Sequence, residues 1–232
     1  MTMSAKGVKT AAADQRPAKS FMSLTSLPHD VRTFWRGSAI YSPDDWATHI
    51  YSVISGRVKI LRASASGQQK IISIRYRGDV FGELALAGGA VEARRSDEAV
   101  ALDTTRVALI RVEDFWHATR HDPALAQYAL GCLTMRLEEA HRQIGALVFD
   151  DNSRRLMRAL FDLSGEASRA GEASLRLTHE ELAGLIGSAR EVVTGLMLDL
   201  RRRGLIDYKR GEVCPCLPQL ARFLEEEELS RE

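Results

Sequence analysis

The sequence predicts an α+β chain built from an N-terminal β-roll (jelly roll), one long helix and a C-terminal winged helix-turn-helix. Three observations predict it. Between Phe34 and Ile110 short apolar runs alternate with Gly-containing turns, the pattern of many short strands. From Pro123 to Phe149 no further proline occurs, and apolar residues recur every three or four positions. Beyond Thr178 two short helical patterns are separated by one glycine.

The elements follow in order. Met1 to Ser20 is rich in Ala, Lys and Ser, lacks the apolar stretch of a secretory signal, and reads as a mobile tail, residues 1–20. The roll is expected over residues 21–122. Ile50, Tyr51, Val53 and Ile54 precede the turn Ser55-Gly56, and Val58, Ile60 and Leu61 follow it. Ser64, Ser66 and Gly67 make the next turn. Ile71, Ile72 and Ile74 lead to Tyr76, Gly78-Asp79 punctuates again, and Val100 to Ile110 closes the region. Glu113 to His121 reads as a short helix.

The long helix spans residues 123–149, and Pro123 suits its first turn. Leu133, Leu137, Ala140, Ile144 and Leu147 are spaced four, three, four and three, a heptad seam. About 25 residues make roughly 37 Å of helix. Such a helix either packs on its own domain or pairs with a second copy as a coiled-coil dimer interface. Its length exceeds what a small roll needs, which favours the dimer.

Residues 150–232 form the last unit. Asp150 to Ser153 is a polar, hinge-like stretch with N-cap candidates. Arg154 to Leu163 reads as a helix and Ser164 to Ser174 as a Gly/Ala/Ser-rich loop. Thr178-His179-Glu180-Glu181 matches a capping box. Leu182, Ala183, Leu185 and Ile186 give that helix its apolar face, and Gly187 can end it in the left-handed conformation. Ser188-Ala189-Arg190-Glu191 reads as a second capping box, and Val193, Leu196, Met197 and Leu200 carry the next helix to Arg203. Asp207 to Leu217, with a turn at Arg210-Gly211, reads as the wing.

Composition limits the function. The 232 residues carry a net charge of +1, and 45% are hydrophobic, so cores can form. No apolar run approaches the roughly 20 residues needed to span a bilayer. Cys132, Cys214 and Cys216 make no disulfide framework, and a reducing, cytoplasmic location is expected. Cys214 and Cys216 lack the partners of a structural zinc site, so no metal is expected. Arg190, Arg201, Arg202, Arg203, Lys209 and Arg210 crowd one stretch, which fits either nucleic acid contact or a solvated helix surface. No nucleophile–base constellation and no P-loop is present, so an enzyme is not expected.

At this point the residues resemble a known family. Thr178 to Ile206 is similar to the winged helix-turn-helix of the cyclic-AMP receptor protein/FNR family. Phe34-Trp35-Arg36-Gly37 and Tyr51 to Val58 are similar to its opening roll strands. Gly78-Asp79-Val80-Phe81-Gly82-Glu83-Leu84-Ala85-Leu86 is similar to its phosphate-binding cassette. The resemblance covers about residues 30 to 224, and implies a cyclic-nucleotide-binding-type roll and a homodimer on a near-palindromic DNA operator. It also implies an activity tuned by a small-molecule effector such as cyclic AMP, and contact with RNA polymerase. For the effector it implies Gly82, Glu83, Leu84, Ala85, Arg95 and Ser96, with His141 on the long helix. Glu83 suits a ribose hydroxyl and Arg95 a cyclic phosphate. Asp97 and Ala140 depart from the receptor pattern, which leaves open a cassette that folds but binds nothing, in a ligand-independent regulator. For DNA it implies Thr178, Ser188, Ala189, Arg190, Glu191, Thr194, Gly195, Arg201, Lys209 and Arg210. Arg190 suits guanine O6 and N7, and Glu191 suits cytosine N4. Gly195 replaces a base-reading basic residue. The absence of cysteines before Cys132 argues against an iron–sulfur cluster. His117, His121 and His141 are possible haem ligands but are read as surface or helix-terminal residues.

Overall fold

In a computed structural model, the protein is described at residues 24, 26–65, 67–87, 93–171, 174–209 and 212–229. The tail expected over residues 1–20 and the wing turn Arg210-Gly211 lie outside them.

Two four-stranded antiparallel sheets form the roll. The first holds β1 (Asp30–Phe34), β8 (Thr105–Arg111), β3 (His49–Ser55) and β6 (Val80–Phe81), in that order. The second holds β2 (Ala39–Tyr41), β7 (Glu98–Ala101), β4 (Val58–Ala63) and β5 (Gln69–Arg75). Strand alternation sends one side of each sheet inward. Tyr41, Tyr51, Val53, Val58, Ile60, Phe81, Ala99, Val107 and Leu109 make the packed interior.

A register shift between Ile60 and Leu61 in the β4–β5 pairing lets neighbouring residues serve two cores. Ile60 stays in the interior, and Leu61 joins a larger cluster outside the roll. That cluster is built by Ile71, Ile74, Val100 and Leu102 against Leu156, Leu160, Leu182, Ile186, Val193 and Met197. The C-terminal unit therefore packs directly on the second sheet.

Helix α1 (Val112–Thr119) anchors the roll through Phe115, which is 1% exposed. Helix α2 (Pro123–Phe149) has Pro123 in its first turn, and the Asp122 carboxylate accepts from the Ala124 amide. Asp150 is its C-cap. Asp151 then caps α3 (Asn152–Arg169) by accepting from the Arg154 amide. Back-to-back caps explain the polar stretch read from the sequence.

The loop expected at Ser164 to Ser174 is instead helical as far as Arg169. Its Ser and Gly residues have weak helix propensity, but burial overrides it. Leu160, Leu163 and Ala167 continue one buried stripe, and the Ser164 hydroxyl donates to the Leu160 carbonyl.

Helix α4 (His179–Ile186) starts with the expected capping box: Thr178 Oγ1 accepts from the Glu181 amide, and the Glu181 carboxylate accepts from the Thr178 amide. Gly187 follows at φ 69°, a conformation that disfavours any side chain. The second capping box is corrected. Helix α5 (Arg190–Arg202) has Ala189 at its N-cap and no side-chain cap. Ser188 lies one residue too early, and its amide closes the previous helix on the Ala183 carbonyl. Strands β9 (Ile206–Lys209) and β10 (Glu212–Pro215) pair antiparallel as the wing. Helix α6 (Leu217–Leu229), not assigned from the sequence, completes the unit and buries Leu220 against the shared core.

Candidate functional site

Two regions present chemistry. The first is a cleft of about 210 Å³ between the second sheet and α2. It is lined by Tyr41, Ile60, Ile72, Ser73, Arg75 and Phe81 from the strands, by Gly82 and Glu83 from the cassette, and by Asp97 just before β7. Arg136, Glu139, Ala140 and Gln143 of α2 form the opposite wall.

Gly82 shapes its rim. Its φ is +77°, and a Cβ there would stand 2.8 Å from Tyr51 and 3.1 Å from Arg95, so the cassette turn fits no larger residue. The 3₁₀ turn Glu83–Ala87 follows. Within it Ala85 is buried in a core beneath the roll, whereas Leu84 is 39% exposed.

Arg136 crosses the cleft. Its Nε donates to Glu83 Oε1 at 3.0 Å, Nη1 to Glu139 Oε2 at 2.9 Å and Nη2 to the Val80 carbonyl at 3.0 Å. Burial opposes its charge, but Glu83 and Glu139 outweigh that cost and hold it firmly protonated. Arg75 Nη1 lies 3.5 Å from the same Glu139 oxygen. Gln143 Nε2 donates to the Ile72 carbonyl at 2.8 Å and ties α2 to β5.

Arg95 is buried behind the Gly82 turn, 2% exposed. It donates to the carbonyls of Gly82 at 2.8 Å and His49 at 2.6 Å. Its guanidinium carbon stands 4.4 Å from the centre of the Tyr41 ring, a cation–π arrangement. Its Nε has no partner among the described residues. Burial pushes the Asp97 carboxyl above the usual carboxylate range, against the opposing effects of a Tyr41 hydrogen bond and of Arg95. Burial, reinforced by Asp97, raises the Tyr41 phenol.

The structure thus brings Gly82 and Glu83 to the cleft and sets Arg95 immediately behind it. Ser96 is exposed and not among the lining residues, and His141 is exposed and does not reach the cleft of its own chain. Ala140, expected at the helix seam, lines the cleft instead. Sequence reasoning missed Arg75, Arg136, Glu139 and Gln143. One signal was present: Arg136 and Glu139 are one turn apart, beside the seam and not in it.

The second region is the outward face of the helix-turn-helix. Arg190, Glu191 and Gly195 are exposed on α5. Neither the Arg190 nor the Glu191 side chain has a bonding partner among the described residues. Thr194 is engaged: its hydroxyl donates to the Arg190 carbonyl at 2.9 Å and lies 3.0 Å from His179 Nδ1. His179 Nε2 is 2.9 Å from the Tyr208 hydroxyl, so one imidazole joins α4, α5 and the wing. Arg201 lies over the Tyr208 ring at 5.8 Å. Arg203 pairs with Asp199 at 2.7 Å. Thr178 caps α4, and the Ser188 carbonyl accepts from Lys70 of β5 at 3.4 Å. Lys209 ends β9.

Between the regions runs the seam of α2. Leu133, Leu137, Ile144 and Leu147 are 43%, 56%, 58% and 56% exposed. Among the described residues no helix is long and apolar enough to cross a membrane, and no cluster of His, Cys, Asp or Glu is placed to hold a metal ion.

Known proteins share both regions. A cyclic nucleotide-binding domain model matches residues 31–122, and a Crp-like helix-turn-helix domain model matches residues 154–223. A cyclic AMP receptor protein of Thermus thermophilus is 31% identical over 183 residues, covering 78% of this chain and 82% of the relative. A global nitrogen regulator of Synechococcus elongatus is 33% identical over 194 residues, covering 81% and 86%. The solved structure of the c-di-GMP-responsive global regulator CLP of Xanthomonas campestris superposes with a TM-score of 0.67 at 26% identity, covering 85% of this chain and 96% of that one.

Proposed function

The chain belongs to the cyclic-AMP receptor protein/FNR family of transcription regulators, which are not enzymes, and from that premise we propose that it binds a near-palindromic DNA operator as a homodimer gated by cyclic AMP or a related cyclic nucleotide. The observation that carries this reading is the double role of α2. One face lines the cleft with Arg136, Glu139, Ala140 and Gln143, while its apolar seam is exposed. A row of exposed leucines on a long helix asks for a partner, and a second copy supplies the matching row. Whatever fills the cleft then acts directly on the dimer helix.

The cassette fits an anionic ligand in part. The Gly82 turn leaves room for no side chain, and Arg95 Nε and Ser73 Oγ are buried without partners among the described residues. A bound cyclic nucleotide supplies one negative charge, a ribose hydroxyl and a purine edge. Glu83 accepts from the hydroxyl while keeping its bond to Arg136. Arg95 exchanges a backbone carbonyl for the phosphate, with backbone amides near Gly82 completing the cradle. Asp97 opposes the charge unless protonated.

On the DNA side, α5 enters the major groove. Arg190 donates to guanine and Glu191 accepts from cytosine. Arg201, Lys209 and Arg210 meet phosphate, which positions without reading sequence. Thr178, Ser188 and Ala189 place the helix entry. In the dimer the two recognition helices must stand about 34 Å apart to meet successive grooves. The units 21–122, 123–149 and 150–232 then act as sensor, dimeriser and reader, in the cytoplasm and beside RNA polymerase.

A second reading, a regulator that needs no ligand, draws on Arg136, which already satisfies Glu83 and Glu139 across the cleft. Fluorescence anisotropy of a labelled palindromic duplex at fixed salt, with and without cyclic nucleotide, separates the two. Tightening by roughly tenfold or more, about 1.4 kcal/mol, is expected. Equally tight binding in both arms would establish the ligand-independent reading, and protein that runs as a monomer by sedimentation would remove the dimer.

A further inference from the structure

The far end of the cleft carries charges that a ribose and a phosphate do not require. Arg75, at the end of β5, is 6% exposed, and its Nε has no partner among the described residues. Its Nη1 stands 3.5 Å from Glu139 Oε2. Ser73, on the same strand, is 5% exposed, and its Oγ is likewise unpartnered among the described residues. All three line the cleft, beside Ala140, which is too small to fill the space. Buried polar atoms ordinarily find partners. Two orphans on one wall, next to a carboxylate on the other, describe a place prepared for a group that both donates and accepts.

We propose that this end of the cleft reads a guanine base, so that the effector is cyclic GMP in preference to cyclic AMP; the proposal rests on the nucleotide-gated reading above. The base edge of guanine presents an acceptor, O6, followed by two donors, N1–H and N2–H. Glu139 accepts from both donors, which is the bidentate use of a carboxylate. Arg75 donates to O6, and the Ser73 hydroxyl is free to bond a remaining ring nitrogen or amino hydrogen. Each bond to the charged groups is charge-assisted. Glu139 already accepts from Arg136 and Arg75, but a carboxylate has about four lone-pair sites and can serve the base as well.

Adenine fits this wall worse. In the same pose its edge offers Glu139 no N–H donor: the N1 lone pair and the C2–H face the two carboxylate oxygens. Where guanine places O6 for Arg75, adenine places an amino group, donor against donor. Sites built to hydrogen-bond one edge discriminate strongly against an analogue that leaves their polar groups unpaired. The sugar and cyclic phosphate are common to both nucleotides, so the choice falls to Arg75, Glu139 and Ser73.

The test is isothermal titration calorimetry of the full-length protein with cyclic GMP and with cyclic AMP at one pH and salt. Cyclic GMP is expected to bind tighter by roughly tenfold or more, the worth of one good bidentate contact. Glu139→Gln is expected to swing the ratio toward cyclic AMP by roughly tenfold or more, since a glutamine amide matches the donor and acceptor of adenine. Arg75→Leu reads the same ratio independently, with a lowered cyclic GMP preference expected, and far-ultraviolet circular dichroism shows whether each variant is folded. A purely structural role for these residues would weaken both nucleotides alike and leave the ratio unchanged. Equal affinities, tighter cyclic AMP, or a ratio untouched in both folded variants overturns the guanine assignment and leaves nucleotide gating standing. Binding of neither nucleotide overturns both. Tight cyclic di-GMP with weak cyclic GMP also overturns it.

Discussion

The cleft and the DNA-reading face use the same residue types in opposite ways. On α5, the Arg190 and Glu191 side chains stand in solvent with no partner among the described residues. In the cleft, Arg136, Glu83, Glu139 and Arg75 are bonded to one another. An exposed guanidinium is hydrated at little cost and keeps its donors available. A buried one must be neutralised within the protein, because an unpaired charge in a low-dielectric interior is expensive. The reader is therefore open and preformed, whereas the sensor is closed on its own ions, and a ligand must offer it better contacts than it already has. Such a ligand shifts the equilibrium only by its difference in affinity between the two arrangements.

Four changes sharpen this contrast, taken from the largest expected effect downward. Leu137→Pro breaks α2 where both regions depend on it, and costs about 3 kcal/mol or more of helix stability. Sedimentation should show monomer, and anisotropy should show no tight binding to the palindrome. A variant that still binds as a dimer would separate the helix from the reader. Arg190→Ala removes the base contact proposed for it and should weaken specific binding by about 1–3 kcal/mol. Nonspecific duplex should lose much less, and equal losses on both would place Arg190 on phosphate.

Thr178→Ala removes the cap of α4 and should lower unfolding stability by about 1 kcal/mol in denaturant titrations. Its effect on nucleotide affinity should be negligible, and a change there would mean that the cap is felt in the cleft. Asp97→Asn acts in the opposite direction from the others and should tighten nucleotide binding a few fold. Burial raises the Asp97 carboxyl, and a bound anion raises it further. Binding then takes up a proton, so affinity rises as pH falls through the range of this group and declines once the carboxylate is formed. Calorimetry across mildly acidic to neutral pH should show that slope in the parent protein and a flatter one in Asp97→Asn. A parallel slope in both would assign the titration elsewhere.

The contact between the two units adds a constraint. Lys70 of β5 donates to the Ser188 carbonyl in the turn just before α5, and a Cβ on Gly184 would stand 3.3 Å from Ile71. The turn of the reader thus lies against the strand that carries Ser73 and Arg75. The cleft and the reader share β5 as well as α2.

The sequence by itself determined what is local. Strands and turns of the roll, the Asp122 and Asp151 caps, the Thr178 capping box and the left-handed Gly187 each follow from a few neighbouring residues. So do the positions of Arg190 and Glu191 at the start of α5, because a short helix fixes which of its residues face out. Where local signals misled, burial had overruled them: Ser164 and Gly165 are poor helix formers, yet the stripe from Leu160 to Ala167 keeps α3 intact. What only the tertiary structure decided is the interior of the cleft. Arg75 and Glu139 are 64 residues apart in sequence, and Arg136 and Glu83 are 53 apart. Neither pairing has a period or a motif. They meet because α2 lies across the sheet, and buried charges there must find each other, so their partners are set by packing and not by spacing along the chain.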